Sequence, residues 1–226
     1  LSVPIGVAVM NDAIAILKAG GVVMIPLLLF SITAIGLIVE RSRFWSRIIK
    51  RQPRMMQRVL MLYQENNIVE AIAVLKQNID LPAARILLSA LSLDRPTPEQ
   101  FRLAMQAEAQ AETPGMKRFT NVFDMIVGLS PLFGLLGTVI GLIVSFASLN
   151  LGNVGGSQTA GVTGGISEAL VSTASGLVVA IFNLFAVSIF RGFYTRQTAL
   201  IQEYANRFEL IYSRRYEDSR SSRFHP

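Results

Sequence analysis

Cysteine is absent from this 226-residue chain, and histidine occurs once, as His225 beside the C-terminus. Without cysteine there is no disulfide framework, no thiol nucleophile and no cysteine-ligated metal. A lone histidine leaves no material for a His-based metal centre or a Ser-His-Asp triad within one chain, so neither a metal nor another cofactor is expected. Charge is also scarce. Only 16% of residues are charged, and none of the residues from Met125 to Ser167 is. With 51% hydrophobic residues and a mean hydropathy of +0.46, the chain is too apolar for one soluble domain and reads as an all-α integral membrane protein.

Three apolar segments reach the ~20 residues that a membrane-crossing helix needs. The first covers residues 20–40, the second 122–149 and the third 166–190, where Arg191 stops it. The net charge of +6 would suggest nucleic acid in a soluble protein, but here the charges sort by side of the membrane. Arg41, Arg43, Arg47, Lys50, Arg51, Arg54 and Arg58 follow the first span, and Arg191 and Arg196 follow the third. The connection NLGNVGGSQTAGVTGG between the second and third spans is uncharged. Basic residues concentrate on the inner side, which puts the N-terminus outside and the C-terminus inside. The arginines then form a solvated, lipid-facing rim, and nucleic acid is not an expected partner. Residues 8–18 read as a short amphipathic helix in the outer interface, or as a frayed terminus.

The inner segment, residues 41–121, is helical by pattern. Asn67 can cap a helix whose Ile68, Ile72 and Leu75 share a face, and Pro82 sits near the first turn of the next helix. Thr97, Pro98 and Glu99 signal a third start, and Thr113, Pro114 and Gly115 predict a break before the chain re-enters the membrane. The tail after Arg191 keeps the helical period of the third span, and its last residues, SRSSRFHP, are expected to fray.

Small and hydroxyl residues in the spans fall on narrow faces. At 100° per residue, Gly134, Thr138, Gly141, Ser145 and Ser148 occupy one arc of about 80°, away from Leu135, Leu142 and Ile143. In the third span Glu168, Ser172 and Ser175 share a face beside a stripe of Ala169, Thr173, Gly176 and Ala180. Tight helix packing accounts for the glycines, with Gly137 and Gly141 forming a GxxxG pair. Packing does not account for the hydroxyls sharing their face. Glu168 is an intramembrane carboxylate near the outer interface, facing protein or water, or reaching headgroup water.

The pair LSPLFGLLGTVIGLIVSF and GGISEALVSTASGLVVAIF resembles the signature of the MotA/TolQ/ExbB proton-channel family. The stretch GGVVMIPLLLFSITAIGLIVERSRFW is similar to the first span of its ExbB-like branch. The resemblance implies an inner-membrane stator in which five copies surround a pore holding the single spans of an ExbD-, TolR- or MotB-like partner. Proton flow there drives motion passed to TonB, TolA or the flagellar rotor. Residue by residue, the family's pore threonines match Thr138 and Thr173, and its third-span glutamate matches Glu168. The resemblance assigns the proton-carrying aspartate to the partner, consistent with the lack of a mid-membrane carboxylate here.

The expected ion pathway is thus Thr138, Thr173, Glu168, Ser145, Ser172 and Ser175, with Gly134, Gly137, Gly141 and Gly176 as packing residues. In these terms residues 1–19 are a periplasmic amphipathic segment, 150–165 a periplasmic loop and 191–226 a cytoplasmic helix and tail. Three spans favour the ExbB/TolQ type over the four-span MotA type. A TolQ-like role in the Tol-Pal envelope system and a non-conducting membrane scaffold are the alternatives. No nucleophile and base pair up to suggest an enzyme.

Overall fold

The computed structural model describes residues 19–149 and 157–224, with side chains for 19–148 and 161–221. The interfacial segment expected at 8–18 and His225 lie outside the described residues. Helices α1 (Met24–Gln64), α2 (Ile68–Gln77), α3 (Pro82–Leu91), α4 (Pro98–Met116), α5 (Thr120–Leu149) and α6 (Ser157–Phe224) account for nearly all of the described chain, which contains no strand. Three helical stretches are long and apolar enough to cross a membrane. The fold is an all-α membrane protein, and the chain divides into two compact units. One comprises Leu1–Val39 and Phe119–Ile189, the other Glu40–Arg118 and Phe190–Pro226.

The second unit is built on aromatic and aliphatic side chains at helical spacing. Trp45, Ile48, Met56, Val59 and Tyr63 of α1 are buried with Leu75 of α2, Ile86 and Leu87 of α3, Phe101 of α4 and Phe208 of α6. Each such side chain removed from water contributes roughly 1.5–3 kcal/mol. Ring contacts fix their registers: Phe101 stacks on Tyr212 at 4.4 Å and Tyr63 meets Phe208 at 5.2 Å. The helix starts follow local chemistry. Asn67 accepts the Glu70 N–H at 3.3 Å, Pro82 occupies the first turn of α3, and Thr97 with Gln100 forms a reciprocal capping box.

Several boundaries differ from the sequence expectation. The buried face of α2 is Ala71, Val74 and Leu75, while Ile68 is exposed. Only Leu75 belongs to both sets, because the helix is rotated by about one position relative to the most apolar arc. Helix α4 runs through Pro114 and Gly115 to Met116, and the break falls at Lys117–Phe119, where Phe119 takes a left-handed φ of 66°. Arg41 donates to the Gly115 carbonyl at 3.3 Å, adding a side-chain bond from α1 to an acceptor at the end of α4 that also takes the Arg118 N–H at 3.4 Å. Helix α6 starts at Ser157 instead of Ile166, and its far end stays helical to Phe224 where fraying was expected.

Arg85 of α3 holds Glu112 of α4 with both arms of its guanidinium, one bond measuring 2.5 Å. That hydrogen bond, more than the burial opposing it, raises the Arg85 pKa above its ordinary value. Glu112→Ala is expected to lower the unfolding free energy by about 1–2 kcal/mol, since the pair is bidentate but only partly shielded from water. Thermal unfolding of the detergent-solubilised chain measures it.

Candidate ion pathway

In the first unit α5 and α6 lie antiparallel along a seam of small residues. Positions rising along α5 meet positions falling along α6: Gly141 opposes Gly165, Gly134 opposes Thr173 and Ser130 opposes Gly176. A Cβ placed on Gly176 would stand 2.5 Å from the Ser130 carbonyl oxygen and 3.1 Å from the Gly134 Cα. On Gly134 it would stand 3.0 Å from the Thr173 Cα, and on Gly141 2.5 Å from the Gly165 carbonyl oxygen. Gly137 abuts the Ser172 side chain, whose Cβ would be 2.5 Å from an added methyl. The two backbones therefore touch, as small residues at three- and four-residue spacing allow. The larger apolar side chains Leu135, Leu142, Ile143, Leu170, Leu177 and Ile181 point out of the seam and are exposed.

The hydroxyl residues divide into two sets. Ser145 and Ser172 are buried inside the seam. The Ser145 Oγ donates to the Gly141 carbonyl at 2.9 Å or the Val162 carbonyl at 3.2 Å, and the Ser172 Oγ to the Ala169 carbonyl at 2.9 Å or the Gly134 carbonyl at 3.4 Å. Thr138, Thr173 and Ser175 are half-buried at its edge. The Thr138 Oγ1 donates to the Leu135 carbonyl at 2.6 Å and the Thr173 Oγ1 to the Gly134 carbonyl at 2.9 Å. Helical geometry makes the Gly134 carbonyl the acceptor of the Thr138 amide as well, so the two threonines are linked through one carbonyl, with Thr173 opposite Gly134 and Thr138 about one helical turn (~6 Å) further along α5. Each has given its proton to the backbone, and the oxygen lone pairs that remain can accept from water or from a protonated carboxyl group.

Glu168, also half-buried, lies against Gly21, where an added Cβ would overlap its carboxylate. Gly21 has φ +68°, a conformation that glycine adopts without strain. Beside it Val23, Met24 and Leu27 pack on Phe133 and Ile140, and Phe30 meets Phe133 edge-on at 5.6 Å. This holds the start of α1 against α5 and brings Gly21 to α6.

The fold thus gathers Gly134, Gly137, Gly141, Gly176, Ser145 and Ser172 into the seam, leaves Thr138, Thr173 and Ser175 at its edge, and puts Glu168 against α1. Sequence reasoning did not single out Ser130, Gly165 or Gly21. Ser130 is four residues before Gly134 and Gly165 four before Ala169, so extending each stripe by one turn finds both. Gly21 carries no comparable signal, since its partner comes from another helix. Among the described residues no group of three or more acidic or histidine side chains could hold a metal ion.

A family model described as the MotA/TolQ/ExbB proton channel family matches residues 78–203, which include the seam and both threonines. The chain belongs to that family. ExbB-like 3 of Synechocystis sp., named a biopolymer transport protein, is 54% identical over 200 residues, covering 88% of this chain and 94% of the relative. ExbB-like 1 of the same organism is 41% identical over 194 residues, with 85% and 76% covered. An ExbB homolog of Methanothermobacter thermautotrophicus is 25% identical over 195 residues, with 86% and 66% covered. Within the MotA/TolQ/ExbB family the chain is therefore of the ExbB type.

Proposed function

We propose that this chain is the proton-channel and stator subunit of a motor in the bacterial inner membrane. Copies of it, five on the family's plan, surround a single-span ExbD/TolR-like subunit whose carboxylate carries the proton. The proton motive force then drives movement that a TonB/TolA-like protein conveys to transport across the outer membrane. The N-terminus lies outside and the C-terminus inside, as the arginines after the first and third spans favour. The observation that carries the reading is the pair of half-buried threonines about one helical turn apart at the edge of the α5–α6 seam, each with its proton bound internally and its lone pairs available. An acidic side chain moving past the two threonines in turn finds acceptors when protonated, and water held by those acceptors when ionised.

The test is proton flux in vesicles containing the chain with its single-span partner. Thr138→Val and Thr173→Val keep the side-chain shape and remove the oxygen, and each is expected to lower flux about tenfold, or about 1.4 kcal/mol in barrier. Assembly, followed by native mass spectrometry, should be nearly unchanged. Normal flux in both variants would remove the threonines from the pathway, and no flux through the unmodified complex would overturn the channel reading itself.

A further inference from the structure

Where α1 ends in the second unit, a cleft of about 720 Å³ is lined by Asn66 and Ile68, by Arg95 of the α3–α4 turn, and by Arg215, Tyr216 and Arg220 of α6. Its size falls among small-molecule pockets. Three guanidinium groups line it and no carboxylate does.

The arginines are not equivalent. Arg215 donates to the Tyr63 carbonyl at 2.6 Å, the Gln64 carbonyl at 3.0 Å and the Asn66 Oδ1 at 3.1 Å, and lies 4.9 Å from the centre of the Tyr63 ring. It caps the C-terminus of α1, so the fold accounts for it. Arg95 and Arg220 are exposed and make no ion pair or hydrogen bond among the described residues. Arg95 also has φ 47°, a left-handed conformation that glycine or asparagine adopts more readily; Asn66, on the same cleft, has φ 63°. The next residue is pinned, because the Tyr212 hydroxyl donates to the Pro96 carbonyl at 2.5 Å. Packing thus gives no reason for an arginine at position 95, whereas a ligand in the cleft does. Guanidinium forks match phosphate oxygens, and the half-buried Tyr216 ring offers a face for a planar group.

We propose that this cleft binds a phosphate-bearing small molecule of nucleotide size, with Arg95 and Arg220 on the phosphates and Tyr216 against the base. The proposal is independent of the ion pathway.

Isothermal titration of the detergent-solubilised full chain with ADP, inorganic pyrophosphate and adenosine tests it. ADP should bind tightest, pyrophosphate about tenfold more weakly and adenosine at least a hundredfold more weakly, the charge contacts contributing more than the ring. Arg95→Gly and Arg220→Gln should each weaken ADP about tenfold. Because glycine suits the backbone at position 95, Arg95→Gly should unfold at the same temperature as the unmodified chain or higher, which separates loss of binding from loss of fold. Arg214→Gln, in a neighbouring cleft, should bind ADP normally. Absence of binding by all three ligands, or unchanged ADP affinity in both cleft variants, would overturn the site. Pyrophosphate binding as tightly as ADP would overturn the base contact, and a polyglutamate peptide binding more tightly than ADP would make the cleft a protein-docking surface.

Discussion

Gly176→Ala should destabilise the chain by about 2–4 kcal/mol, because its new methyl group meets backbone and not a side chain that can turn away. The obstacle is the Ser130 carbonyl oxygen at 2.5 Å with the Gly134 Cα just behind it at 3.1 Å. To relieve it, the two helices must separate along the seam that also buries Ser145 and Ser172. Gly137→Ala meets a different obstacle, the Ser172 side chain. Ser172→Gly should therefore restore most of what Gly137→Ala loses, whereas no side-chain truncation on α5 should rescue Gly176→Ala. Gly36 and Gly128 have nothing within 4 Å of an added Cβ, so alanine there should be neutral or slightly stabilising through its helix propensity. Thermal unfolding and the yield of assembled protein measure the set. Losses at Gly36 and Gly128 as large as at Gly176 would show that the seam does not set the cost.

Glu168→Leu should reduce proton flux about tenfold, while Glu168→Gln should reduce it only two- to threefold, since glutamine still holds water and leucine expels it. The carboxylate rests against the Gly21 backbone, so Gly21→Ala tests the same position from the other side. Its methyl group overlaps the carboxylate and its backbone is strained at φ +68°, so the variant should displace Glu168 and lower flux with the glutamate still present. A Gly21→Ala complex that conducts normally would count against a role for this contact. Complete loss in Glu168→Gln, with conduction surviving neutralisation of the carboxylate on the proposed single-span subunit, would instead make Glu168 the carrier.

The spans and caps were legible because each depends on short-range chemistry. A run of apolar residues needs lipid, and Asn67, Pro82 and Thr97 act on backbone groups within three residues of themselves. The hydroxyl stripe was legible as a face, but a face does not name its neighbour. Ser145 and Ser172 are themselves pathway candidates by their arcs and yet lie buried inside the seam of their own chain, because the close approach permitted by Gly141 and Gly165 is a property of two helices at once. Pro114 misled for a related reason. Locally it signals a stop, but α4 continues one turn further, and Arg41, distant in sequence, bonds the Gly115 carbonyl there. The contact of Glu168 with Gly21 joins residues far apart in sequence through a backbone conformation that composition does not encode.

The touching backbones of α5 and α6 also bear on kinetic order. With Gly134, Gly141, Gly165 and Gly176 in contact range across the seam, there is no room for a file of water between α5 and α6 of one chain. Conduction by the proposed motor must then belong to the assembly and not to its parts. Diluting the protein in lipid should lower flux as a power of concentration once assemblies begin to dissociate, whereas a channel through a single chain would lose flux only in proportion.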